Sequence, residues 1–238
     1  LLFLGGLLFA FQIYGDFSGY SDIAIGTARL FGIDLMRNFN IPYFSRNISE
    51  FWSRWHISLT TWFRDYIYIP LGGNREGRLR TLRNTLIVFL VSGIWHGANW
   101  TFVCWGLYHA LLIIVFFLLG VRRQPKVVAA NSVLPSVKEC AQMAVTFFLV
   151  VIGWIIFRSE NMSMAYHYIV RMFTTPWTDF SAKMFIDLTV LKDALIGCAI
   201  MLLVEWLQRK KAHGLEYNSS RLMRWTTVRW SLYIFLIY

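Results

Sequence analysis

Apolar residues in this chain fall in long blocks separated by short basic stretches. Crossing a hydrocarbon core takes about 20 predominantly apolar residues. A first block runs from Leu1 to about Ile33 and is interrupted by Gly15-Asp16-Phe17-Ser18-Gly19-Tyr20-Ser21-Asp22. A second, Asn84 to Leu119, is too long for one crossing and carries turn chemistry at Gly97-Ala98-Asn99, which predicts a helical hairpin. A third covers about Cys140 to Phe157, a fourth about Phe185 to Leu207, and a fifth starts near Val228. The fold class expected is all-α: a polytopic transmembrane helical bundle, one membrane-embedded domain over 1–238.

The segment from Asn38 to Arg83 differs, mixing aromatics with Arg. Asn47-Ile48-Ser49-Glu50 fits a capping box, in which the first residue and the one three later satisfy each other's backbone N–H. A helix starting there puts Trp52, His56, Leu59, Phe63 and Ile67 on one face and Arg54, Ser58, Thr61 and Asp65 on another. Such an amphipathic helix suits the interface or a re-entrant position beside other helices. Pro70-Leu71-Gly72-Gly73-Asn74 ends it.

Composition agrees with membrane burial. Hydrophobic residues make up 57% and charged residues 15%, against about a quarter charged in soluble domains. The net charge of +10 sits between apolar blocks, as in cytoplasmic loops, so no nucleic-acid partner is expected. From Arg37 to Arg83 there are eight Arg against three acids; Arg122, Arg123 and Lys126 follow after the hairpin, and 158–183 is nearly balanced. The alternation places loops 37–83, 122–138 and 208–227 in the cytoplasm. Cys104, Cys140 and Cys198 show no ligand or disulfide spacing, so no metal is expected. The chain opens at Leu1 inside an apolar block and its last block is short, which reads as the C-terminal part of a longer chain.

His96 is the leading candidate for chemistry. The arm from Asn84 to His96 covers about 20 Å at 1.5 Å per residue, short of a roughly 30 Å core, so His96 falls within the membrane depth. Ionisable residues there are functional candidates, the alternative being a histidine satisfied by a neighbouring helix. His56, on the aromatic face, is either an interfacial packing residue or a second proton-transfer group. His109 follows His96 by thirteen residues, which in one continuous helix puts the two on nearly opposite faces and favours a structural role. His167 and His213 look solvated. Asp16 and Asp22 either line a chamber or bond between helices packed at Gly15 and Gly19. Trp52, Arg54, Trp95 and Asn99, close to the two histidines in sequence, are candidate substrate contacts; Arg54 and Arg64 could alternatively form a solvated or head-group-binding face.

Four stretches taken together carry a resemblance. Trp52-Ser53-Arg54-Trp55-His56-Ile57-Ser58-Leu59, Trp62-Phe63-Arg64-Asp65-Tyr66, Pro70-Leu71-Gly72-Gly73-Asn74 and Gly93-Ile94-Trp95-His96-Gly97 closely resemble the membrane-bound O-acyltransferase (MBOAT) family. Asp16 to Asp22 is similar to its bacterial branch, that of the alginate and peptidoglycan O-acetyltransferases, and the motif core spans 11–110. The resemblance implies a helical bundle around a tunnel, with the family's near-invariant histidine at His96 and its second polar position at His56. It implies a thioester donor, acetyl-CoA or an acyl carrier, reaching the tunnel from the cytoplasm, and no bound cofactor. The acceptor is a hydroxyl of an exported polysaccharide or of a periplasmic partner protein, and the location is a bacterial inner membrane. His56 would orient His96 or help hold the acyl group or oxyanion. Residues alone also admit a transporter or flippase, since broken helices with intramembrane histidines mark transport paths too.

Overall fold

The computed structural model describes residues 2–121, 127–175, 188–211 and 225–237, and every regular element among them is helical. The loop residues Arg122, Arg123 and Lys126, and His213, lie outside the described residues, as does part of each of the stretches 158–183 and 208–227. Residues 1–191 form one compact unit and residues 192–238 another. The second holds most of α8 (Leu188–Gln208) and all of α9 (Thr226–Ile237).

In the first unit, α1 (Leu2–Leu30) is a single unbroken helix. The expected interruption at 15–22 is absent. Asp16 and Asp22 are exposed, and a Cβ added at Gly15 or Gly19 would meet nothing within 4 Å, so these residues leave the backbone ladder intact and make no close helix packing. Next come a 3-10 turn at Pro42–Phe44 and a chain of short helices, α2 (Ile48–Trp52) and α3 (Ile57–Phe63). A wider π turn at Arg64–Tyr68 continues α3. The single amphipathic helix expected from Asn47 onward is thus divided at His56. That residue adopts the left-handed conformation (φ 46°, ψ 54°), which no α-helix accommodates. Of the capping box, Asn47 does accept the Glu50 N–H at 2.8 Å, but the Glu50 carboxylate turns to the Arg46 N–H instead of closing the box.

The hairpin forms as expected. α4 (Arg78–His96) and α5 (Trp100–Leu118) are joined by residues 97–99. Their backbones touch. A Cβ at Gly93 would come 2.5 Å from the Phe102 carbonyl oxygen, and one at Gly106 2.3 Å from that of Phe89. Asn84, fully buried, donates to the Leu71 and Gly73 carbonyls at 3.0 Å each and fastens the 70–74 turn to α4. α6 (Val137–Arg158) opens with a complete capping box, Ser136 with Glu139, and brings Val150, Val151 and Trp154 into the core. α7 (Met162–Thr174) occupies a stretch that sequence patterning assigned to a loop. Asn99 donates to the Glu160 carbonyl at 2.9 Å, so the hairpin turn and the end of α6 share one side of the molecule.

Among the described residues α1, α5 and α6 are long and apolar enough to cross a membrane. α4 carries Arg78, Arg80 and Arg83 in its first turns, and α8 carries Lys192, Asp193 and Glu205. Those charges leave both short of a spanning helix by composition, although sequence blocks placed spans there.

Candidate active site

Helices α1 to α6 line a half-open cavity of about 340 Å³. α1 supplies Phe17, the α2–α3 segment Trp52 and His56, α4 Phe89 and His96, α5 Trp105, and α6 Trp154 and Phe157. Two histidines far apart in sequence therefore share one aromatic wall.

His96 is the last residue of α4. Gly97 follows with φ +146°, a conformation L side chains rarely adopt, and a Cβ there would sit 2.9 Å from the Phe102 ring. Glycine at this position lets the chain turn immediately and leaves His96 at the helix tip. Its ring stands edge to face with Trp105 and Phe157, centroids 5.1 Å away in each case. Among the described residues it makes ring contacts and no hydrogen bond. Its nitrogens are thus available to a molecule in the cavity.

His56 is held differently. The edge of its ring meets Phe17 at 4.7 Å, and its Nδ1 lies 3.2 Å from Asn38 Oδ1. His56 sits outside the spanning helices. Burial, followed by the nearby His96, pushes its pKa down to about 4, so it is neutral at physiological pH.

The remaining candidates are placed unevenly. Trp52 lines the cavity, and its Nε1–H donates to His109 Nδ1 at 3.3 Å. Arg54 does not line it. Its guanidinium is buried and paired at 2.6 Å with Glu50, which also binds Arg46 at 2.8 Å, while Arg46 reaches Glu139 at 3.1 Å. A solvated face does not describe Arg54; it belongs to a buried charge cluster tying α2 to the start of α6. Trp95 is exposed on the outer side of α4, and Asn99 caps α5 by accepting the Thr101 N–H at 3.1 Å. Arg64 lines the cavity in part and pairs with Asp65 at 2.7 Å.

His109 is a buried packing residue, in keeping with the structural role expected of it, although not on one helix with His96. The break at 97–99 folds α5 back along α4, so His109 ends fully buried, packed on Trp105 and Trp52, with centroids 5.4 and 5.0 Å away. Gly153 makes room for it, since a Cβ there would meet His109 Nε2 at 2.5 Å. Asn38 went unnoticed altogether. The signal available was the habit of Asn in loops of bonding neighbouring backbone groups, which is weak without coordinates.

A family model, that of the membrane-bound O-acyltransferase (MBOAT) family, matches residues 1–127. The chain is 47% identical over 171 residues to the probable alginate O-acetylase AlgI of Pseudomonas aeruginosa, covering 72% of this chain and 31% of that protein. It is 43% identical over 159 residues to the peptidoglycan O-acetyltransferase of Helicobacter pylori, covering 67% and 29%. It is 36% identical over 122 residues to the teichoic acid D-alanyltransferase of Bacillus subtilis, covering 46% and 31%. The chain spans about a third of the length of these curated relatives.

Proposed function

Because this chain belongs to the membrane-bound O-acyltransferase family, we propose that it forms the active-site portion of a membrane O-acetyltransferase. The reaction moves an acetyl group from a cytoplasmic thioester, acetyl-CoA or an acyl carrier, to a hydroxyl of an exported polysaccharide or of a periplasmic partner protein. The setting is a bacterial inner membrane crossed several times by the complete protein. The observation that supports this reading most is the placing of His56 and His96 on the wall of one cavity. Its volume of about 340 Å³ is at the small end for ligand sites, which suits a short acyl group. The names of the relatives, two of them O-acetylating enzymes, point the same way.

In this mechanism neutral His96 takes the proton of the acceptor hydroxyl as its oxygen attacks the thioester carbonyl carbon. The tetrahedral intermediate collapses, the C–S bond breaks, and the departing thiolate takes the proton from His96. General-base help of this kind contributes roughly 10²–10⁴-fold. Positioning in an aromatic-walled cavity supplies further acceleration. The basic stretch from Arg37 to Arg83, which runs into the first turns of α4, would attract the phosphates of coenzyme A or an acidic carrier.

The test is transfer of labelled acetyl from acetyl-CoA in membranes holding the full-length protein. His96→Ala should reduce transfer to background at normal expression. Undiminished transfer by that variant would overturn the assignment. A transporter without its own chemistry would release no free thiol from the donor.

A further inference from the structure

Asn38 links the loop after α1 to the histidine segment. Its Oδ1 accepts the backbone N–H of Ser58 at 3.2 Å and the Ser58 hydroxyl at 2.7 Å, and lies 3.2 Å from His56 Nδ1. Its Nδ2 donates to Ser21 Oγ on α1 at 3.3 Å, and its backbone carbonyl accepts the Ile57 N–H at 2.9 Å.

These contacts fix hydrogen positions that coordinates alone leave open. A backbone N–H only donates, so the group facing Ser58 must be the amide oxygen of Asn38. An amide oxygen has no hydrogen to give, so the histidine nitrogen beside it must carry one. The Ser58 hydroxyl does not change this. Its hydrogen is directed at Asn38 across 2.7 Å, and from 3.5 Å it can only accept from His56 Nδ1.

We infer that Asn38 is a positioning residue that locks His56 in its Nδ1–H tautomer, so that His56 presents a bare Nε2 and acts as a proton acceptor rather than an oxyanion donor. A neutral imidazole has one N–H, and here Nδ1 holds it. Among the described residues Nε2 makes no hydrogen bond. It is therefore available to the acceptor hydroxyl or to an N–H of His96. The other ionisable groups on the same cavity are His96 of α4 and Arg64 and Tyr68 beyond α3. From α1 the contact is Phe17, and no carboxylate is among the lining residues. No carboxylate in the cavity therefore competes with Asn38 for the choice of tautomer.

This inference rests on the acyl-transfer reading, and its test separates the two. Acetyl transfer is measured against pH in membranes holding the full-length protein as wild type, His96→Ala, Asn38→Leu and Asn38→Asp. Asn38→Leu should lower kcat by about 10–100-fold, the range typical of partners that fix a histidine's tautomer, with the donor KM nearly unchanged. Asn38→Asp keeps an acceptor for Ser58 and His56 and should retain activity. Its carboxylate stabilises the imidazolium, so the acid limb of the pH profile should move up by roughly one unit or more. A His56 that only packs, and does not accept a proton, predicts no such shift. Wild-type kcat in Asn38→Leu, an unmoved limb in Asn38→Asp, or an inactive but well-expressed Asn38→Asp would each overturn the inference. If wild type itself transfers nothing, the acyl-transfer reading fails instead.

Discussion

The indole N–H of Trp52 donates to Nδ1 of His109 across 3.3 Å, joining the short helix α2 to the middle of α5. The bond fixes His109 as the Nε2–H tautomer by the same donor-only logic, because an indole nitrogen cannot accept. It also holds the Trp52 ring against the cavity. His109→Leu leaves that half-buried N–H unpaired but also removes the buried Nε2–H of His109, which has no partner among the described residues, so it should cost about 1 kcal/mol of stability, the low end for a lost bond. Trp52→Phe with His109→Leu should cost less than the sum of the single changes. Thermal unfolding of the four proteins in detergent checks this; strict additivity would mean the bond contributes nothing.

Gly97 carries the geometry of the hairpin tip. Gly97→Ala meets both an unfavourable φ and the Phe102 ring, so the α4 terminus must shift. A displacement near 1 Å at a reacting group can cost about 10²-fold in rate. The expected outcome is a large fall in kcat with protein still present in the membrane. Unchanged kcat would show that the turn relaxes without moving His96.

The Arg46–Glu50–Arg54 cluster is buried, with side chains 2%, 9% and 7% exposed. Removing one partner from such a set typically costs about 3–5 kcal/mol, since a buried charge loses its counter-ion. Glu50→Gln should therefore deplete the protein from membranes. Arg54→Lys should lower stability while leaving the donor KM unaltered, measured on whatever folds. A raised KM at normal stability would return Arg54 to substrate binding.

His56 combines a left-handed backbone with a depressed pKa. Asn tolerates that conformation better than other side chains, so His56→Asn should accumulate to higher levels than His56→Leu while both lose transfer. The pH consequence has a definite sign. Unfolded His56 protonates near 6.5 and folded His56 near 4, so its effect on stability is nil above about pH 6.5 and becomes unfavourable as pH falls toward 4. His56→Asn should flatten that part of a stability profile. An unchanged slope would assign it to other groups.

Particular residues show what was legible in the sequence and what was not. Gly97-Ala98-Asn99 announced the hairpin because its turn chemistry is local: Gly97 takes the positive φ and Asn99 caps the next helix. Of the amphipathic face read through Trp52, His56, Leu59, Phe63 and Ile67, the first four line the cavity and Ile67 does not, and the face is not carried by one helix. The division at His56 comes from Asn38, eighteen residues earlier, which takes the Ile57 and Ser58 N–H groups by carbonyl and side chain. No local propensity encodes that competition. Asp16 misled in the other direction, because an exposed carboxylate on a helix interrupts hydropathy without interrupting the helix. His109 was read as structural and is buried, although the continuous-helix spacing used for it does not hold across 97–99.

The contact of Gly93 and Gly106 with facing backbone has a consequence for motion. No side chain lies between the two strands of the hairpin there, so α4 and α5 form a stiff bracket with His96 at its tip. α2 is tethered to that bracket by Trp52 and to α6 by the charge cluster. α3 and its π turn carry exposed Trp62, Asp65 and Tyr66 and follow the left-handed link at His56. That arm is held at both ends, by Asn38 at Ser58 and by Asn84 at Leu71 and Gly73, so the wall it forms is fastened to the same bracket that carries His96.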